Sequence, residues 1–237
     1  MDQDILNIIV AVCVVLLTLV FYLLFKWSKT SRRTILITGV CDSGKTLIFT
    51  RLVHDRFAKT HTSIRENASN YLTDKGTNIQ LVDIPGHERL RNSYLDDYKK
   101  SARGIIYVID SLTLNKEIKD VAEYLYTLLT DEDILKNCKN ILIFCNKQDN
   151  TTAKGAQILK SLLEKELNTV RETKSHSLEN TEGTVDSVYL GIKGQEFEFA
   201  HCLPTIIDFA EGYALDSEGD ESLHRLDPLK QWIAAIS

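Results

Sequence analysis

The sequence predicts an α/β protein: a six-stranded, mostly parallel sheet flanked by helices, preceded by one N-terminal transmembrane helix. Three observations carry this. From residue 34 onward, short aliphatic runs alternate with helical patterns, the order expected of a doubly wound sheet. A glycine-rich turn, Gly39 to Gly44, joins the first run to the first helical pattern. Ahead of both, residues 5–25 form an unbroken apolar stretch without a charge.

That stretch is 21 residues long, and only Asn7 and Thr18 in it are frankly polar. As a helix it spans roughly 30 Å, the thickness of a bilayer core. Tyr22 and Trp27 fall near its end, where amphipathic rings settle at headgroup level. A cleaved signal peptide is the alternative, but it wants basic residues before the run and a small-residue cleavage site after it. Here Asp2 and Asp4 precede, while Lys26, Lys29, Arg32 and Arg33 follow. The basic flank sets the orientation: residues 1–4 lumenal, 26–33 a basic juxtamembrane linker, 34–237 a cytosolic domain. Eight extended linker residues reach at most about 28 Å, so the domain stays near the bilayer.

Within the domain, residues 34–38 (TILIT) form the first strand. Residues 69–72 and 78–82 (NIQLV) flank a Thr-Asp-Lys-Gly-Thr turn and read as an antiparallel edge hairpin. Residues 104–109 (GIIYVI), 140–145 (NILIFC) and 205–209 (TIIDF) complete the six. Helical patterns lie at 45–57, 90–100, 116–129, 153–172 and 228–236. Residues 173–187 and 216–221 are polar and without period; the first is a mobile surface insertion, the second an acidic loop. Trp232 reads as core packing. Five cysteines with no C-x-x-C pair exclude a disulfide scaffold and a zinc ribbon. A net charge of −5 gives no support to non-specific nucleic-acid binding.

After the first strand stands Gly39-Val40-Cys41-Asp42-Ser43-Gly44-Lys45-Thr46, a match to G-x-x-x-x-G-K-[ST] in its strand–loop–helix setting. The glycines let the backbone curl so that successive N–H groups, those of Asp42 and Ser43 through Leu47, face phosphate oxygens. The helix start adds its positive end. Lys45 supplies a point charge for the β- and γ-phosphates, and the Thr46 hydroxyl ligates Mg²⁺. About 40 residues on, Asp83-Ile84-Pro85-Gly86-His87-Glu88 follows a strand. Asp83 reaches Mg²⁺, and the Gly86 N–H meets a γ-phosphate. After the fifth strand, Asn146-Lys147-Gln148-Asp149 matches the guanine selector N-K-x-D. The Asp149 carboxylate accepts from the ring N–H and exocyclic amine of guanine; adenine offers no such pair, a discrimination of ~10⁴ or more. Lys147 lies along the base and braces the phosphate loop, and Asn146 ties neighbouring loops together. In this order, each at a strand end, the motifs imply GTP or GDP held with Mg²⁺.

These residues resemble the Ras-type small GTPases over residues 34–237 and, more closely, the family of signal recognition particle receptor β subunits. The closer match is carried by the anchor joined directly to the domain, HTSI at 61–64, DIPGHE at 83–88, SARGIIYVIDS at 101–111, KDVAEYLY at 119–126, CNKQD at 145–149, LEKELNT at 163–169 and GQEFEF at 194–199. The resemblance implies a P-loop small GTPase fold of the Arf/Sar kind. It implies an endoplasmic reticulum membrane protein that binds the N-terminal domain of the receptor α subunit in its GTP form. Ribosome–nascent-chain complexes are then contacted indirectly. By analogy, Thr62 is the switch I metal ligand, chosen over Thr60 and Ser63. His87 stands where relatives carry the water-positioning glutamine; it either does that work or is a surface histidine of a slow switch. Ala214 of Gly212-Tyr213-Ala214 supplies the N–H for the guanine carbonyl. An anchored Sar/Arf-like trafficking GTPase is the second reading. A purine kinase is a third class, without a visible second phosphate-acceptor site. A cytosolic location leaves Cys41, Cys138, Cys145 and Cys202 as free thiols.

Overall fold

Consecutive aliphatic residues build the centre of the sheet, where both faces are covered. In the computed structural model, which describes residues 7, 11–21, 33–179, 189–215 and 224–237, six strands form one sheet. They are β1 (Thr34–Thr38), β2 (Asn67–Leu72), β3 (Asn78–Asp83), β4 (Ala102–Asp110), β5 (Asn140–Asn146) and β6 (Ile206–Glu211). Their order is β2-β3-β1-β4-β5-β6. The β2–β3 pair is the antiparallel edge hairpin, and the other four pairings are parallel. β1, β4 and β5 are buried along almost their whole length, whereas β2 alternates partly buried and exposed residues and has none fully buried.

The helices are α1 (Lys45–His54), α2 (Glu88–Tyr98), α3 (Leu114–Thr130), α4 (Glu132–Asn137), α5 (Ala156–Glu179) and α6 (Asp227–Ile236), with a 3₁₀ turn at Phe199–Cys202. Alternation along the strands divides the core in two. Leu36 and Tyr107 pack with Leu95 of α2, Leu125 of α3 and Leu163 of α5. Ile35, Ile37 and Val108 pack with Ile48 of α1 and Ile233 of α6. Trp232 belongs to this second cluster, and its Nε1 donates to Asp208 Oδ2 at 2.9 Å.

The helices depart most from the sequence expectation at three places, each for a local reason. α1 stops at His54 because Asp55 turns left-handed (φ 49°) and returns its N–H to the Arg51 carbonyl. α4 was not expected; Asp131 caps it by accepting from the Ile134 N–H at 3.0 Å. α5 continues to Glu179, into the stretch expected to be a mobile insertion. Its extension, TKSHSLE in sequence, holds a single apolar residue, so no apolar period marked it. Residues 180–188 and the acidic loop at 216–221 lie outside the described residues.

The chain divides into two units, Met1–Arg32 and Arg33–Ser237. In the first, residues 11–21 are helical and their apolar side chains, Leu17 and Phe21 among them, are exposed. Among the described residues no helix is long and apolar enough to cross a membrane. Apart from Asn7, the remainder of the expected span lies outside the described residues, as does nearly all of the linker.

Candidate nucleotide-binding site

β1 has β3 on one side and β4 on the other, so the chain crosses over in opposite directions from it and leaves a crevice at the strands' C-terminal ends. The loop from Gly39 to Gly44 occupies that crevice. Gly44 sits at φ +92°, and a Cβ there would lie 2.3 Å from Asn146 Nδ2. Conformation and space both demand glycine. That close approach lets Asn146 Nδ2 donate to the Ser43 carbonyl at 2.8 Å. Ser43 Oγ donates to the Val40 carbonyl at 3.0 Å, and Asp42 takes a left-handed conformation (φ 56°). The loop then enters α1, whose first-turn N–H groups, from Lys45 through Leu47, lack intrahelical partners.

A cavity of about 290 Å³ opens over this turn, lined by Cys41, Asp42, Gly44, Lys45, Thr46, Thr60, His61, Thr62, Ser63 and Gly86. The Lys45 ammonium is buried and donates to the Val40 carbonyl and to Ser43 Oγ. Burial lowers its pKa to about 8 against the pull of Asp83. Gly86 closes the far wall, and a Cβ there would meet Cys41 N and Lys45 Nζ at 2.8 Å.

Asp83 ends β3 fully buried. Its Oδ2 accepts from Thr46 Oγ1 at 2.8 Å and from Asn67 Nδ2 at 3.1 Å. Its Oδ1 is buried with no partner. Burial raises the Asp83 pKa, opposed by the hydrogen bonds from Asn67 and Thr46 and by the Lys45 charge. A buried carboxylate oxygen left without a partner is costly. Beside a threonine hydroxyl it is also a fitting site for a hard divalent cation. Among the described residues no cluster of three His, Cys, Asp or Glu side chains could hold a metal by itself. The donor set thus suits Mg²⁺, which keeps waters and takes phosphate oxygens alongside one or two protein ligands.

The base-side motif stands at the end of β5. Lys147 is left-handed (φ 66°), and its Nζ pairs with Asp110 Oδ2 at 2.8 Å. Burial opposes ionisation of Asp110, but Lys147, the Leu112 N–H and Thr113 together lower its pKa. The side-chain hydrogen bond from this motif to the phosphate loop comes from Asn146, which ties the two loops together, while the Lys147 ammonium is held by Asp110. The Gln148 N–H donates to the Gly212 carbonyl (3.2 Å), and its side chain donates to Ser111 Oγ and the Lys154 carbonyl. Asp149 is exposed at the tip and makes no hydrogen bond among the described residues. Ala214 is buried, its carbonyl accepting from Arg51 Nε. Paired Tyr213–Arg225 backbone bonds hold the loop before it.

Thr62 lines the cavity, but the hydroxyl in contact with Thr46 is that of Ser63, at 3.1 Å. His87 is exposed and caps α2, its Nδ1 accepting from the Arg89 N–H at 3.3 Å. Asn67, Asp110 and Ser111 were not singled out from the sequence. The Asp-Ser pair had a signal, since it ends an aliphatic run as Asp83 does; Asn67 had none.

The chain matches the family model described as signal recognition particle receptor beta subunit over residues 30–205. The rat signal recognition particle receptor subunit beta is 44% identical over 240 aligned residues, covering 100% of this chain and 88% of the rat protein. The fold aligns with a chain of the mammalian SRP receptor structure at a TM-score of 0.74 and 40% identity, covering 86% of this chain and 100% of that one. It also aligns with a chain of the SRb-GTP/SRX complex from Chaetomium thermophilum at a TM-score of 0.66, with 21% identity over 85% of this chain and 99% of that one. The last is a likeness of fold. Full-length identity favours the receptor reading over a Sar- or Arf-like trafficking GTPase, and the chain belongs to the family of signal recognition particle receptor β subunits.

Proposed function

We propose that this chain is a membrane-anchored guanine-nucleotide switch. It binds GTP or GDP with Mg²⁺ and, in the GTP state, holds the receptor α subunit at the endoplasmic reticulum for cotranslational targeting. One observation supports this most directly: the partnerless buried oxygen of Asp83 beside Thr46, in a cavity lined by a glycine-rich loop, a lysine and a helix start. Thr46 and Asp83 would hold Mg²⁺, with Thr62 or Ser63 joining when nucleotide orders the 60–63 loop. The ion supplies charge for the phosphates. Asp42 to Leu47 present N–H groups to the same phosphates, and Gly86 reports the terminal one. Asn146, Lys147, Asp149 and Ala214 frame the base.

The 5–25 span anchors the chain with its N-terminus in the lumen. A transmembrane helix is effectively permanent, so nucleotide changes which surface the 60–63 and 86–91 segments present rather than moving the protein off the membrane. Contact with ribosome–nascent-chain complexes then runs through the α subunit. Binding outranks turnover in this reading, because the imidazole expected to position an attacking water is engaged in capping α2. Nucleotide released on denaturing the full chain, purified in mild detergent, is expected to be chiefly GTP. Chiefly GDP would shift the reading to a cycling GTPase, and no nucleotide would overturn it. Equal affinity of the GDP and GTP forms for the α subunit would end the switch reading.

The thiols offer a second check. Burial pushes Cys145 and Cys202 up to about 12, with Glu211 adding to the effect at Cys145. Both should resist iodoacetamide at pH 8, since the thiolate is the reactive form. Cys41 lines the cavity and should be alkylated after nucleotide is stripped and protected when GTP is restored. Alkylation of Cys41 at the same rate in both states would place the nucleotide elsewhere.

A further inference from the structure

We propose that the end of the sheet where its parallel strands begin is a membrane-docking face that rests on anionic lipid headgroups. This builds on the anchored reading above. Thr34 lies opposite Gln80 and Ala102, Gly104 opposite Asn140, and Asn140 opposite Ile206. The starts of β3, β1, β4, β5 and β6 therefore share one rim, and the nucleotide cavity lies at the other end of the same strands.

The rim carries both ingredients of an interfacial surface. Leu203 and Ile206 are 79% and 53% exposed. Lys139 stands beside them, since the Ile206 N–H donates to its carbonyl at 2.7 Å. Arg33, whose carbonyl accepts from the Gln80 N–H, Lys100 and Lys139 are exposed, and Arg103 is half-buried. None of these four cations forms an ion pair among the described residues. Nearby carboxylates are largely engaged already: Asp96, Asp131 and Asp133 converge on Lys99, and Glu132 pairs with Lys136.

An anionic bilayer is the occupant these features fit. The chain enters β1 at this rim after a linker of about 28 Å at most, so a bilayer is always within reach of it. Each cation near an anionic surface favours docking by about fivefold, and the exposed apolar pair suits the headgroup boundary. Docking this way leaves the 60–63 and 86–91 segments facing the cytosol, open to a protein partner.

The test uses the full chain in phosphatidylcholine vesicles with and without phosphatidylserine. Flotation with the vesicles reads the anchor. An environment-sensitive dye is placed by Leu203→Cys or by Gln157→Cys, the latter at the exposed start of α5, with Cys13 and Cys202 replaced by Ser and Cys41 shielded by bound GTP during labelling. Quenching by shallow spin-labelled lipid is expected at position 203, well above that at 157, and increasing with phosphatidylserine. K100E/R103E/K139E should lower the docked-to-undocked ratio about fivefold per cation removed, with flotation and bound nucleotide unchanged. A chain that floats but is quenched equally at both positions, or at neither, overturns the docking face alone. So does a dye at 203 that is shielded without lipid quenching, which would mean that protein covers the patch. A chain that floats with neither vesicle overturns the anchor and the face together.

Discussion

Asp149→Asn is expected to move nucleotide preference from guanine to xanthine by about four orders of magnitude, the largest effect any single substitution should have on this chain. The carboxylate is preset for the role. The residues just before it are fixed by the Lys147–Asp110 pair and by Gln148, which binds the Gly212 carbonyl, Ser111 and Lys154. Asp149 itself projects into solvent without a hydrogen bond among the described residues. Two donors of guanine would satisfy it, whereas the asparagine amide donates where the carboxylate accepted. A site built to hydrogen-bond one partner rejects a mismatched one by ~10⁴–10⁵ because polar groups are left unpaired. Competition between GTP and XTP on the full chain measures this. Stability should change by no more than about 0.5 kcal/mol, since the side chain is exposed and unpartnered. An unchanged preference for GTP would show that the base lies elsewhere.

Much of the fold was legible because its signals are local. β1, β4 and β5 are unbroken aliphatic runs, the signature of strands covered on both faces, and the phosphate loop announces itself by spacing. The strand ends that carry chemistry, at Asp83 and at Asn146, follow such runs directly. What escaped prediction depends on contacts between distant residues or on polar surface. Asp55 ends α1 by a left-handed turn that no glycine or asparagine in the sequence announces. The polar end of α5 reads as loop because helicity without an apolar face leaves no period. Asn67 reaches Asp83 across the β2–β3 ladder, from a strand that is itself a weak candidate. The preference for Thr62 over Ser63 came from analogy; both line the cavity, and only packing brings the Ser63 hydroxyl to Thr46. Lys147 pairs with Asp110, and it is the Asn146 amide that Gly44 admits to the loop.

Lys45→Ala should weaken GTP binding by ~10²–10⁴ at pH 7. Removing one partner of a buried charge pair costs about 3–5 kcal/mol, and each 1.4 kcal/mol is tenfold in affinity. A pH profile separates this electrostatic role from a structural one. With the loop empty, burial holds the Lys45 pKa at about 8, below the ordinary 10.5. The folded site therefore disfavours the ammonium. Stability of the empty protein falls as pH drops from 10.5 towards 8 and loses nothing further from this residue below that. Phosphates supply the missing counter-charge and raise the pKa again. Above pH 8, binding must then take up a proton, so affinity should decline as pH rises from 8 towards 10.5 and stay level from 7 to 8. Titration calorimetry of the full chain in buffers of differing ionisation enthalpy counts that proton directly. In Lys45→Ala both the proton uptake and the alkaline decline should vanish. If the variant kept the same decline, the titrating group would be another one, and Lys45 would serve the loop through its bonds to Val40 and Ser43 rather than through its charge.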